Sequence, residues 1–200
     1  MKEQKEQRFF RLVYRLIWPL VQILYPVRVH HIERLPEGGA VICAPHTSMI
    51  DPVMIVMALG IRKYPRFMAK KELFEKPILR GILRGIGTVP VNRGSADIQA
   101  IKSALGILKG GGILGIFPEG TRVHGEETGS AHSGAIMLAS RTGVPLVPVW
   151  MTRNKKPFRK VDVVIGEPYA LPRLTGGSEV YQPYAEELMD RIGALKEDDR

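Results

Sequence analysis

Cysteine is nearly missing from this chain. Cys43 is its single thiol, so no disulfide can close within it and no all-cysteine metal cage can assemble, which fits a reducing compartment or indifference to redox state. Iron–sulfur chemistry is excluded for an isolated chain. Acidic residues are in deficit: 20 Asp plus Glu against 29 Lys plus Arg leave a formal net charge of +9. That imbalance asks for a partner of opposite sign, and nucleic acid, anionic lipid headgroups and acidic carrier proteins all qualify. Low-complexity tracts are absent, and 44% hydrophobic with 24% charged residues is a globular composition, not that of a collagen, a coiled coil or a disordered chain. With 200 residues there is room for about one domain.

Long apolar runs are missing too. Leu16 to Tyr25 is an apolar run of ten positions broken by Pro19 and Gln22, whereas a bilayer span takes about 20 apolar residues. No small-residue cleavage site follows before Pro26-Val27-Arg28, which argues against a signal peptide. Lys2, Lys5, Arg8, Arg11 and Arg15 precede the run, and Phe9, Phe10, Trp18 and Tyr25 are available as interfacial anchors. Such a segment suits the headgroup layer of a membrane. The alternative is a helix packed on its own domain. Both readings stay open on these residues alone; residues 1–26 are delimited as this amphipathic, candidate membrane-associating segment and 27–200 as the domain that follows.

The remainder alternates between strand and helix patterns. Strands are expected at Val27–Ile32, Gly39–Ala44, Phe67–Lys70, Ile86–Val91, Ile113–Phe117, Pro145–Trp150 and Val161–Ile165. Pro90 should then lie at an edge, a bulge or a strand end. Helices are expected at Pro52–Leu59, over Lys71–Arg84 with a break at Pro77, from a Ser95 cap through Ile98, Ile101, Leu105 and Leu108, at Gly134–Thr142, and through Tyr181, Tyr184, Leu188, Ile192 and Leu195. The pattern predicts an α/β fold: a mixed, mostly parallel central sheet flanked by helices. In such folds sites collect where strand ends open into loops.

Three loops carry chemistry. In Ala44-Pro45-His46-Thr47-Ser48-Met49-Ile50-Asp51-Pro52 a histidine and an aspartate are separated by four residues. Histidine can take a proton near neutrality, and a carboxylate on its other ring nitrogen would fix the tautomer and stabilise the imidazolium. Five positions of continuous helix turn by about 140° and would separate the two side chains; a helix starting at Asp51-Pro52 would bend them together. Read without context, Asp51 is only a helix cap and His46 a loop histidine. Ser48 lacks the Gly-x-Ser-x-Gly surroundings of a serine nucleophile.

Asn92-Arg93-Gly94-Ser95 puts an arginine at a strand end beside a helix N-terminus, a place for a phosphate or carboxylate, or simply a solvated arginine. Phe117-Pro118-Glu119-Gly120-Thr121-Arg122 brackets a glycine with opposite charges and could hold a second anionic or hydroxyl contact, or be a structural turn. The strand Val144-Pro145-Leu146-Val147-Pro148-Val149-Trp150 could line an acyl slot or belong to the core.

Taken in order, the His-x4-Asp pair, the Gly-x-x-x-Val-x-Arg stretch, Phe-Pro-Glu-Gly-Thr-Arg and the Val-Pro-x-x-Pro-Val strand resemble the blocks of the glycerolipid acyltransferases, among them the 1-acyl-sn-glycerol-3-phosphate branch, from about His31 to Ile165. The resemblance implies a membrane-associated enzyme moving a fatty acyl group from an acyl-CoA or acyl carrier protein thioester to a lysophospholipid hydroxyl. It makes His46 the general base and Asp51 its orienting partner. It assigns Arg93, Glu119, Gly120, Thr121 and Arg122 to acceptor binding, and the region of Pro148 to the acyl donor. Pro45 stands where the family often has Asn, and Ala131-His132-Ser133-Gly134 lacks the Lys expected before the glycine.

Expected partners are thus the lysophospholipid, acyl-CoA or the carrier protein, and an anionic membrane surface, with no metal or other cofactor. The expected location is the cytoplasmic face of the cell membrane, peripheral or monotopic. Backbone amides near His46 are the expected donors to the thioester oxyanion. Other acceptors stay open, as does a non-catalytic lipid-binding protein. No RNP stretch, zinc spacing or helix-turn-helix signal supports nucleic-acid binding.

Overall fold

A computed structural model of the chain describes residues 2–92, 97–119 and 133–196. Their seven strands are β1 (Val27–His30), β2 (Ala40–Cys43), β3 (Pro65–Lys70), β4 (Val89–Val91), β5 (Ile113–Ile116), β6 (Leu146–Met151) and β7 (Val161–Ile165). Their helices are α1 (Lys2–Leu24), α2 (Asp51–Leu59), α3 (Pro77–Gly85), α4 (Ile98–Lys109), α5 (Gly134–Thr142) and α6 (Ser178–Ala194).

The strands form one sheet in the order β1-β7-β6-β2-β5-β3-β4. From β6 to β4 every pairing is parallel, whereas β7 meets β6 antiparallel and carries β1 parallel to itself. The mixed, mostly parallel sheet expected from the sequence is present. Strand alternation sends β2 side chains to two cores. Ala40 and Ile42 pack with Met54 and Ile55 of α2, while Val41 and Cys43 pack with Ala104, Ile136 and Leu188 from α4, α5 and α6. Helices therefore cover both faces, as a parallel sheet requires.

Several boundaries moved for local reasons. β1 stops at His30 because His31 takes a left-handed conformation (φ 60°) and starts a short 3-10 turn. β4 begins only at Val89, since Ile86 and Thr88 still donate backbone bonds to Ile82 and Leu83 at the end of α3. As the last strand of the sheet, β4 takes Pro90 at an edge, where a missing N–H is tolerated. Asp97 caps α4, its carboxylate accepting from the Ala100 amide at 3.0 Å; the expected cap, Ser95, lies outside the described residues. Of the residues expected on the buried face of α4, Leu108 is buried and Ile98 is exposed, and Ala100 and Ala104 are buried as well. Ala104 shares its cluster with Ala135 and Ala139 of α5, so small side chains define the contact. Gly143, with φ 72°, ends α5 where expected.

The N-terminal segment is one 23-residue helix that passes through Pro19. Its inner face rests on the domain through Phe10, whose ring centroid is 4.9 Å from that of Tyr64, and through Glu3, which accepts from Arg66 Nη2 at 2.6 Å. Its outer face leaves Leu12, Leu16, Leu20 and Ile23 exposed, and Trp18 is exposed on another side of the helix. None of the described helices is long and apolar enough to cross a membrane.

Candidate active site

Three neighbouring strands converge on one place. β2 lies between β5 and β6, so the loops leaving their C-terminal ends meet above the centre of the sheet. The first carries His46 toward α2, the second Phe117 to Glu119, and the third Arg153 and Lys155.

Asp51 opens α2, with Pro52 behind it, and the chain before it curls back around the carboxylate. Oδ2 accepts the Thr47 and Ser48 amide N–H groups, each at 2.6 Å, and lies 3.0 Å from His46 Nδ1. Backbone amides can only donate, so this oxygen acts as an acceptor and Nδ1 carries the proton it offers. Nε2 is then the basic nitrogen of the ring. His46 stacks on Phe117 with centroids 4.2 Å apart at 19°, and Phe117 stacks on Phe67 in turn. Gly115 allows that arrangement, because the Phe67 ring occupies the space a Cβ there would need.

The wide separation expected of a five-residue spacing on helix is avoided, since His46 precedes α2 and only Asp51 belongs to it. Asp51 is 0% exposed. Burial alone would raise its carboxyl, but the His46 hydrogen bond, the Lys155 charge and the Ser48 amide outweigh that and hold it below the usual aspartate value. The α2 N-terminus adds a favourable dipole.

Glu119 is 3% exposed, and its Oε2 accepts the His46 amide N–H at 2.6 Å. Burial pushes this carboxyl above the usual glutamate value, with the His46 amide and the nearby Arg153 charge opposing. In the structure Glu119 thus braces the histidine loop from below rather than lying open to solvent beside its glycine. Pro148 is in mid-strand, in register with Cys43, and its carbonyl accepts from the Gly166 amide at 2.8 Å; it is part of the sheet, buried beneath the loops. Arg93, Gly120, Thr121 and Arg122 lie outside the described residues.

The expectation that amides beside His46 serve an oxyanion does not hold for three of them. Those of His46, Thr47 and Ser48 are already bonded to carboxylates. Sequence reading also passed over Lys155. In Arg153-Asn154-Lys155-Lys156 it reads as solvated charge, yet its side chain is 1% exposed, with Nζ 2.7 Å from Asp51 Oδ1 and 3.3 Å from Thr47 Oγ1. Only the adjacency of β6 to β2, a tertiary fact, could have revealed it. Among the described residues no group of three or more His, Cys, Asp or Glu gathers as a metal site would need.

Residues 26–152 match the family model named Acyltransferase. The chain belongs to that family. A 1-acyl-sn-glycerol-3-phosphate acyltransferase of Bacillus subtilis (strain 168) is 36% identical over 149 residues, covering 71% of this chain and 73% of the relative. One from Streptococcus pneumoniae is 31% identical, covering 70% and 52%, and the chloroplastic LPAT1 of Arabidopsis thaliana is 30% identical, covering 75% and 43%. The last two alignments span only about half the length of those relatives or less. The crystal structure of the 1-acyl-sn-glycerophosphate (LPA) acyltransferase PlsC from Thermotoga maritima superposes with a TM-score of 0.67 at 25% identity, over 96% of this chain and 79% of that one. The His-x4-Asp loop of this acyltransferase lies within the matched residues, at the position where the sheet opens.

Proposed function

We propose that this acyltransferase moves a fatty acyl group from an acyl-CoA or acyl carrier protein thioester to the free hydroxyl of 1-acyl-sn-glycerol-3-phosphate, forming phosphatidate. The observation that carries the reading is the His46–Asp51 contact at 3.0 Å, found in a chain whose relatives bear that enzyme's name. The acceptor alcohol is far too weak an acid to ionise near neutrality, so its proton must leave as its oxygen attacks. His46 Nε2 takes that proton while the oxygen bonds to the thioester carbonyl carbon. Asp51 stabilises the imidazolium formed. Collapse of the tetrahedral intermediate breaks the C–S bond, and the proton passes from His46 to the departing thiolate. The direct transfer uses no enzyme nucleophile, so Cys43, buried in the core with its thiol pushed well above the usual value, takes no part.

Arg93, Gly120, Thr121 and Arg122 are proposed to grip the acceptor, Arg93 and Arg122 through its phosphate. The region of Pro148 is proposed to lie along the acyl donor. Residues 1–26 are proposed to rest on the cytoplasmic leaflet, where both lysolipid and product reside. The exposed row Leu12, Leu16, Leu20 and Ile23, flanked by Arg8, Arg11 and Arg15, supports this, as one apolar stripe beside basic residues suits an anionic interface.

A labelled acyl thioester offered with a panel of lysolipids, resolved by thin-layer chromatography, tests the proposal. Labelled phosphatidate is the expected product. Equal rates on acceptors lacking the phosphate would reassign the substrate and remove the role of Arg93.

A further inference from the structure

We infer that Lys155 is a positioning residue for acyl transfer: its buried ammonium, 2.7 Å from Asp51 Oδ1, keeps that carboxylate charged and turned toward His46. The inference rests on the general-base reading of His46 given above. With 1% of its side chain exposed, Lys155 touches no substrate and acts only through Asp51.

The geometry closes every place where the carboxyl could keep a proton. Oδ2 faces the Thr47 and Ser48 amides and His46 Nδ1, and Oδ1 faces an ammonium group, which can only donate. A protonated Asp51 would present an O–H to a donor on either side. It would also lose its ability to stabilise an imidazolium. A buried ion pair is weak evidence of a stability device, because apolar residues of similar volume often serve as well. A lysine here in place of a leucine or methionine is better explained by the charge it holds than by the packing it provides. Thr47 completes the connection. Its hydroxyl accepts from Lys155 Nζ at 3.3 Å and donates to the Arg153 carbonyl at 3.2 Å, linking the loop after β6 to the loop after β2.

Among the described residues the charged groups around the pair are few. His46 and Lys155 touch Asp51 directly, and Glu119 from the loop after β5, with Arg153 facing it, forms the next layer. Any charge on Glu119 and the charge on Asp51 repel each other, and among the described residues Lys155 is the lysine or arginine in direct contact with Asp51.

Lys155→Met and Lys155→Gln test the inference, with folding checked by circular dichroism. Both remove the charge, and Gln keeps a hydrogen-bond donor. An opposite charge at this distance moves a carboxyl by about 1–3 pH units, so the acid limb of the kcat/KM profile should move up by about one unit or more. Both routes open to the variant push the limb the same way. If Asp51 gains a proton, activity waits for that proton to leave; if it stays charged without its cation, it holds the imidazolium more tightly. At pH 7 kcat should fall about tenfold or more, with KM nearly unchanged because no substrate contact is lost.

A lysine that merely ties two loops together would lower kcat or stability with the limb in place, and that result would overturn the inference. Should both variants fail to fold, carbon-13 resonances of aspartate carboxyls in the full-length wild-type chain decide it. An Asp51 carboxyl that stays ionised below the usual range, beside the charged ammonium, supports the inference, and one that takes up a proton within or above the usual aspartate range sinks it. Failure of the wild-type chain to form labelled phosphatidate would instead strike the proposed function, and the carboxyl titration would still report on Lys155.

Discussion

The active-site loops and helix α1 invert the usual arrangement of a globular protein in opposite senses. Beneath His46 the interior is charged: Asp51, Lys155 and Glu119 are withdrawn from water among aromatic rings. Along α1 the surface is apolar, with Leu16 69% exposed and the charges that matter to the fold, Glu3 and Glu6, turned inward to Arg66. Buried charge is costly unless every oxygen and ammonium is matched, and exposed apolar rows cost little until something covers them. The first region is therefore a machine whose parts are fixed by mutual contact. The second is a surface whose purpose depends on a partner outside the chain.

Removing the imidazole is the severest way to break this contrast. His46→Ala should lower kcat by about 10²–10⁴, the range of a positioned general base, and should lower the urea midpoint as well, since both the Phe117 stack and the Nδ1–H bond to the buried Asp51 carboxylate are lost. Full activity in that variant would place the chemistry elsewhere.

The two ion pairs come next, because they carry the same chemistry at different depths. Asp51→Ala strands the Lys155 ammonium in the interior and should destabilise the fold by about 3–5 kcal/mol. Glu3→Ala, which removes a carboxylate whose side chain is 57% exposed, should cost about 1 kcal/mol or less. Urea unfolding of both variants measures the difference. Equal costs would mean the site is as solvated as the helix.

Changing the outer face of α1 tests the other half of the comparison. Each leucine or isoleucine fully buried in lipid contributes about 1.5–3 kcal/mol, so Leu16→Ser with Ile23→Ser should weaken sedimentation with phosphatidylglycerol vesicles by tenfold or more. The rate on a short-chain, fully dissolved lysolipid should stay the same. Unchanged sedimentation would make α1 a helix packed on its domain and nothing more.

The two regions also differ in how far the sequence discloses them. The sheet, six of its seven strand positions to within about two residues, and the Gly143 stop all follow from periodicity and punctuation. The His46–Asp51 pairing is different: Pro52 marks a helix start that can bend the two together, but only the family resemblance chose the pair over a plain cap and a loop histidine. Lys155 was invisible because its importance comes from β6 lying beside β2, separated from Asp51 by more than a hundred residues. Glu119 was legible as important but not as buried, since a Glu-Gly-Thr-Arg turn looks open to solvent. The β4 start was misplaced because Ile86 to Thr88 complete a helix end that Gly87, at φ 65°, turns into the strand. Local signals report local geometry, and what meets across the sheet needs the sheet order.

The smallest effect separates the two carboxylates of the site by the sign of their pH dependence. Asp51 is held below its usual value, so its stabilisation is present above the unfolded-state pKa and is lost as pH falls through the lowered folded one. Glu119 is pushed above its usual value by burial. Its contribution is complete below the unfolded-state pKa and is lost as pH rises through the raised folded one. Glu119→Gln removes that second dependence alone, because the amide oxygen can still accept the His46 N–H and the acid-side loss from Asp51 remains. Urea midpoints followed from pH 4 to 7 should show the variant gaining on the wild type as pH rises through the raised carboxyl pKa, then running parallel. A variant that instead loses ground to the wild type as pH rises would mean Glu119 favours its charged form in the fold, and that the His46 amide and Arg153 outweigh its burial.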